Sequence, residues 1–184
     1  MTAELKQKFV FNPERELKIF GIDLDEDLIK RAQESLNNEV FPKGLTFQPL
    51  DLMKEGAADA LREFLEKQEP KREKFDVVFC FSVSMWIHLN YGDEGFEKFI
   101  RMIASLSKFV ILEPQPWRCY QTANRRMRKN GLPVFEHLEQ IGAKREELEP
   151  YILNLCEKNG LKKVKELGTT DWKRKAILFR NEAH

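Results

Sequence analysis

"KIFGIDLDEDLIKRA", residues 18–32, stays apolar through Ile22, stops on Asp23 and passes at once into a stretch with helical periodicity. Asp25 stands where a helix N-cap is needed, and Leu28, Ile29, Ala32 and Leu36 recur at helical spacing as an apolar stripe. Upstream, residues 2–9 have helix-forming composition, and Asn12 and Pro13 break the chain before a strand expected over Leu17 to Ile22. A strand that turns directly into a helix is half of a βαβ unit. An acid at the strand's carboxyl end is where open α/β sheets place a ribose-binding carboxylate. In the dinucleotide fingerprint that acid follows a glycine-rich turn, yet none of the nine glycines precedes Gly21.

The pattern repeats along the chain. "LTFQPL" (45–50) reads as a second strand, followed by Asp51 and a helix carrying Ala58, Leu61, Phe64 and Leu65. "FDVVFCFSV" (75–83) is nearly all apolar, which predicts a parallel strand covered on both faces. A helix over about 94–106, a strand "KFVILEP" (108–114), a basic helix over about 118–130 and a helix over 145–158 follow. "LKKVKEL" (161–167) and "KRKAILFR" (173–180), joined through "GTTDW", close the chain as a hairpin-like pair. Strands alternating with helices predict an α/β parallel sheet with helices on both faces and an antiparallel last strand, the order of Rossmann-like methyltransferases.

Length and composition bound the rest. A chain of 184 residues is read as one domain, and 42% apolar with 33% charged residues argues against disorder. The net charge of +1 gives no global field, so any attraction to nucleic acid must come from local clustering. Cys80, Cys119 and Cys156 are widely spaced and odd in number, against a disulfide framework and for a reducing compartment. They form no CxxC, and His88, His137 and His184 are as scattered, so no zinc site is expected. The charged start "MTAELKQKFVF" lacks the apolar run of a secretion signal, and Val77 to Ile87 is too short to span a bilayer. The default expectation is a soluble protein of the cytoplasm or nucleus, with the cytoplasm and a monomer taken as its state and no membrane bound.

Four motifs carry chemistry. Asp23 at its strand end can accept both ribose hydroxyls; the plain alternative is that Asp23 and Asp25 are a helix cap and its neighbour. Asp51 follows the next strand in the same way, where it can take an adenine amino group while Leu52 packs on the ring. "FSVSMWIHLNYGDEGF" (81–96) reads as a dense polar and aromatic loop, with Ser82, Ser84, Trp86, His88, Asn90 and Tyr91 at a position where such folds keep catalytic groups. A lone histidine is more often structural, and Trp86 and Ile87 can be packing, so the residues leave that loop open. In "ILEPQPWRCY" (111–120), two prolines around Gln115 make a rigid turn that suits a wall of a binding site. Arg118, Arg125, Arg126, Arg128 and Lys129 then put five positive charges into twelve residues with no acid among them. Such a run is either a solvated face or a set of phosphate contacts.

"FDVVFCFSVSMWIHLNYGDEGF" together with "ILEPQPWRCY" resembles the methylphosphate capping enzymes, the bicoid-interacting-protein-3 family of RNA methyltransferases, over roughly residues 2–180. "MWIHLN", the arginine-rich helix and "GTTDWKRKAILFR" are similar to the branch that methylates RNA 5′-monophosphates. The resemblance implies S-adenosyl-L-methionine (SAM) as cofactor and a small structured RNA with a 5′-monophosphate, a histidine-tRNA-like RNA or a precursor microRNA, as substrate. It implies that Asp23, Leu24, Asp51, Leu52 and Ser82 face the cofactor and that His88, Asn90 and Gln115 position the reacting groups. Glu113, Trp117, Tyr120, Arg118, Arg125, Arg126, Arg128 and Lys129 would hold the RNA end. The family also places a strand and a glycine-rich cofactor loop ahead of the first helix, and neither is expected in this chain. Two other readings stay open: an RNA-binding fragment without catalysis, and a small-molecule methyltransferase, which would have no use for the basic helix.

Overall fold

The structure, a computed structural model, describes residues 17–38 and 44–182. The helix expected over residues 2–9 lies outside the described residues. The chain divides into two compact units, residues 1–57 and 58–184.

In the first unit, β1 (Ile19–Asp23) and β2 (Leu45–Pro49) pair in parallel, Ile19 opposite Leu45 and Asp23 opposite Pro49, with α1 (Glu26–Asn38) between them in sequence. The cap read from the sequence is present: the Asp25 Oδ1 accepts the amide N–H of Asp27 at 2.9 Å and of Leu28 at 3.1 Å. The apolar stripe is narrower than its spacing suggests, since Ile29 is buried but Leu28 is 43% exposed. Gly21 sits opposite Phe47, whose ring lies 2.4 Å from where a Cβ would stand, so any side chain at 21 would displace the aromatic.

The second unit carries α2 (Ala57–Glu66), β3 (Phe75–Cys80), α3 (Ser84–Leu106), β4 (Ser107–Leu112), α4 (Trp117–Lys129), α5 (Leu148–Lys158), β5 (Leu161–Thr169) and β6 (Lys175–Asn181). Two short 3-10 turns, Glu136–Glu139 and Arg145–Glu147, connect α4 to α5. Its sheet runs β3-β4-β6-β5, with β3 and β4 parallel and β6 antiparallel to both neighbours, as expected for the closing strand. Phe96, Phe99 and Ile100 of α3, Val110 and Leu112 of β4, Ile152 of α5, and Ile177 and Phe179 of β6 form its core. Each such side chain contributes about 1.5–3 kcal/mol when fully buried. The Asn181 carboxamide donates to the carbonyls of Ala104 and Ser107, tying the end of β6 to the junction of α3 and β4.

Three expectations need correction. The segment read as a loop over 81–96 is helical from Ser84 onward, and the helix expected at 94–106 is only its second half. Gly92, at φ 66° and ψ −170°, kinks α3 without ending it. β3 is not covered on both faces: Val77 and Phe79 on one face are 38% and 39% exposed, and among the described residues the strand is hydrogen-bonded to β4 alone. The described strands form two sheets, β1-β2 and β3-β4-β6-β5. Among the described residues no helix is long and apolar enough to cross a membrane.

Candidate active site

The carboxyl ends of β3 and β4 are joined by one carboxylate. The Glu113 N–H donates to the Cys80 carbonyl at 3.1 Å, which sets Glu113 beside the residue where β3 ends. The Glu113 Oε2 accepts both the Ser82 amide N–H at 3.0 Å and the Ser82 hydroxyl at 2.9 Å. Ser82 is held at φ 56°, in the left-handed region that a non-glycine residue adopts only when its surroundings insist. Arg174, from the turn before β6, completes the cluster: its Nη1 donates to the Ser82 Oγ at 2.9 Å and lies 3.4 Å from the Glu113 Oε2. Its Nη2 reaches the Cys119 Sγ at 3.9 Å in the first turn of α4, and the guanidinium lies 5.8 Å from the centre of the Trp172 ring. The carboxylate is buried and the arginine side chain is 18% exposed. A nearly enclosed cation thus faces out of the strand ends with one flank neutralised.

Gln115 acts on the next helix. Its Oε1 accepts the Ser84 hydroxyl at 2.8 Å and the Met85 amide N–H at 3.2 Å, supplying from another segment the cap that Val83, at the start of α3, has no side chain to give. Two turns of chemistry read as catalytic therefore resolve differently: the Gln115 carbonyl is committed to the fold, while Asn90 is exposed and donates its Nδ2 to the Trp86 carbonyl at 2.7 Å.

His88 is wholly buried. It lies between the Phe96 ring at 4.7 Å and the Tyr151 ring at 6.0 Å, nearly parallel to both. Its Nε2 is 2.6 Å from the Asp93 Oδ1 and its Nδ1 is 3.2 Å from the Tyr120 hydroxyl. A carboxylate can only accept, so the neutral ring carries its proton on Nε2 and the Tyr120 O–H donates to Nδ1. Burial holds the His88 pKa below its ordinary value, against the opposing pull of Asp93. Burial, with the Asp93 carboxylate behind it, pushes the Tyr120 phenol well up. Asp93 reaches further, its Oδ2 accepting the Gly142 N–H at 3.0 Å. The resemblance implies that His88 and Tyr120 touch the substrate; neither reaches solvent here, and they bind α3 to α4 from within.

That anchoring orients α4. At 100° per residue, Arg118, Arg125, Arg126, Arg128 and Lys129 fall within roughly 160° of its circumference, while Tyr120, Ala123 and Met127 occupy the opposite side. All five cations are exposed, and none has an ion-pair partner among the described residues. Trp117 is half-buried and stacks on Tyr120 at 5.4 Å.

In the first unit the two strand-end acids adopt the same local geometry. The Asp23 Oδ1 accepts the Asp25 N–H at 3.0 Å, and the Asp51 Oδ1 accepts the Met53 N–H at 3.0 Å. Each turn fixes one carboxylate oxygen. The Asp51 Oδ2 has Lys54 Nζ at 3.9 Å. Leu24 is exposed and Leu52 half-buried beside them.

A family model described as Bicoid-interacting protein 3 (Bin3) matches residues 75–181, more than half of the chain. The chain belongs to the Bin3 family. The Bin3 match takes in both the Glu113–Ser82–Arg174 cluster and the cationic face of α4. Among known Bin3-like proteins, the chain is 40% identical over 167 residues to the RNA 5′-monophosphate methyltransferase of Mus musculus, covering 90% of this chain and 57% of that protein. It is 38% identical over 172 residues to the pre-miRNA 5′-monophosphate methyltransferase of Danio rerio, covering 93% and 66%. The chain thus spans less than two thirds of the length of these relatives. The fold resembles a magnesium protoporphyrin IX methyltransferase from Synechocystis PCC 6803 solved with bound SAM, with a TM-score of 0.54 at 20% identity over 90% of this chain and 60% of that one. This likeness shows the α/β methyltransferase fold.

Two members of the site escaped the sequence reading. Arg174 stands 92 residues from Ser82 and 61 from Glu113, so nothing local connects them. The only available signal is a lone arginine in the turn of the closing hairpin. Asp93 lies in the quoted motif five residues beyond His88, and an acid at that distance from a histidine could have been singled out.

Proposed function

We propose that this chain is an RNA methyltransferase that uses SAM to methylate an RNA 5′-monophosphate, acting as a monomer in the cytoplasm. The observation that carries the reading is the cationic face of α4, five exposed charges without ion-pair partners among the described residues, on a helix whose opposite side is anchored to α3 through Tyr120 and whose Cys119 meets Arg174 of the Glu113–Ser82 cluster. The printed activities of the Mus musculus and Danio rerio relatives support it.

The donor set of the first unit fits the nucleoside half of SAM: two carboxylates at the ends of adjacent parallel strands, each with one oxygen fixed by its own turn, and Leu24 and Leu52 as apolar neighbours. Asp23 would accept the ribose hydroxyls and Asp51 the adenine amine. When bound, SAM supplies an electrophilic methyl group on a sulfonium. A phosphate monoester has its second pKa near ~6 and is already largely an oxyanion at neutral pH, so no side chain has to act as a strong base. The chain's own work is orientation: Arg118, Arg125, Arg126, Arg128 and Lys129 hold the RNA backbone, and Arg174, held by Glu113, faces the terminal phosphate. Cys80 and Cys156, their thiols pushed up to about 12 by burial, and Cys119 form no disulfide, which suits a reducing compartment.

A second reading, RNA binding without methyl transfer, needs only the cationic face of α4. Calorimetric titration of the chain with SAM, alongside transfer of labelled methyl to a 5′-monophosphorylated RNA hairpin, separates the two. Binding of SAM with 5′-phosphate-dependent labelling is expected. RNA binding without either signal would leave only the second reading. Replacing Arg125, Arg126 and Arg128 with glutamine should lower the slope of log affinity against log salt by about 2.

A further inference from the structure

We infer that Trp86 and Phe135 form a stacking platform for an unpaired nucleobase of the bound RNA, a contact that rests on the RNA-binding reading and specifies which part of the RNA is held. Trp86 lies in the first turn of α3, where Gln115 fixes the backbone, yet its side chain is 42% exposed. Its ring packs against Phe135, centroids 6.0 Å apart and tilted by 57°, while much of its surface stays open to solvent. Phe135 is in turn attached to the basic helix: its N–H donates to the Asn124 Oδ1 at 3.2 Å. Asn124 shares a row of α4 with Arg128 one turn on, so the aromatic pair borders the cationic face. One turn along α3 from Trp86, the exposed Asn90 spends its Nδ2 on the Trp86 carbonyl and keeps its Oδ1 without a partner among the described residues, an acceptor available to a base amine.

Proteins that bind single strands combine these two elements, a cationic track for the backbone and an aromatic face for the base. The charge beside the platform favours a nucleic acid over an apolar protein partner. The exposed ring favours an unpaired base, because the bases of a duplex already stack on one another. The stacked pair Trp117 and Tyr120 does not duplicate this role, since Tyr120 is fully buried.

The test uses the full chain and a fluorescently labelled, 5′-monophosphorylated hairpin with a short single-stranded end, compared with a blunt hairpin and with one whose unpaired nucleotides are abasic. Trp86→Ala should weaken binding of the overhanging hairpin about tenfold and leave its salt dependence unchanged, while Trp86→Phe retains most of the affinity. On the unaltered chain, the abasic end should cost a similar factor, and it should cost nothing further once Trp86 is alanine. This arm needs no variant to fold. Equal affinity of the unaltered chain for the overhanging and abasic hairpins, or an equal loss on the blunt hairpin, overturns the platform while leaving RNA binding through α4 intact. If the unaltered chain binds none of the three RNAs at low salt, the RNA reading fails and the platform with it. A dimer in sedimentation that dissociates on Trp86→Ala would assign this face to a second copy and overturn the inference.

Discussion

Ser82 keeps a left-handed backbone because three bonds insist on it: its N–H and O–H both end on Glu113, and its Oγ accepts from Arg174. Alanine at 82 would keep the backbone penalty and lose the hydroxyl, whereas glycine would lose the hydroxyl and escape the penalty. Ser82→Gly should therefore be the more stable of the two by about 1 kcal/mol in urea unfolding. Glu113→Ala removes the acceptor of the whole cluster and strands a mostly enclosed guanidinium, a loss of about 3 kcal/mol in the same measurement. Removing Arg174 instead leaves a buried carboxylate, so the two single losses should exceed what the double variant shows beyond either.

His88 makes a prediction in pH. Its folded pKa lies below the value of an exposed histidine, because burial penalises the charged ring more than Asp93 favours it. Between the two values the unfolded chain binds the extra proton, so stability is constant above about 6.5 and falls as pH drops below it. Thermal melts between pH 7.5 and 5.5 should show that fall, and His88→Gln should flatten it. A slope unchanged by the substitution would mean that His88 is not its source.

At the scale of elements, the decisive feature is the bend in α3. Gly92 adopts a φ and ψ combination essentially confined to glycine, and a Cβ there would lie 3.1 Å from the His137 Nδ1. The bend brings Asp93 onto both His88 and Gly142. Gly92→Ala should cost about 1–3 kcal/mol and weaken the protection of amides near Gly142 in hydrogen exchange. The sequence was read as a polar and aromatic loop here, and local signals go no further, because helix continuation past a glycine depends on what packs on both halves. In α4, by contrast, the sequence was sufficient. Its extent and its cations were read within a residue of where they lie, since a helix's charge distribution follows from its period alone.

Across the whole molecule, the strand content of the two units differs. β1 and β2 form a two-stranded sheet, which is marginal by itself, while β4 is hydrogen-bonded on both sides and buries Val110 and Leu112 completely. Hydrogen exchange should show peptides of β1 and β2 exchanging at least about tenfold faster than those of β4 and β6. Comparable protection in all four would contradict this.

The sequence by itself determined the order and kind of the described elements, the antiparallel closing strand, the Asp25 cap and the cationic run. All of these depend on period, on turn chemistry or on neighbours within a few residues. Only the tertiary structure decided that β3 leaves Val77 and Phe79 exposed on one face, that His88 and Tyr120 are interior groups, that Gln115 caps α3 and that Arg174 joins Ser82 and Glu113. Those facts concern which side chains meet across tens of residues, and burial and partner choice are set by packing that no local pattern encodes.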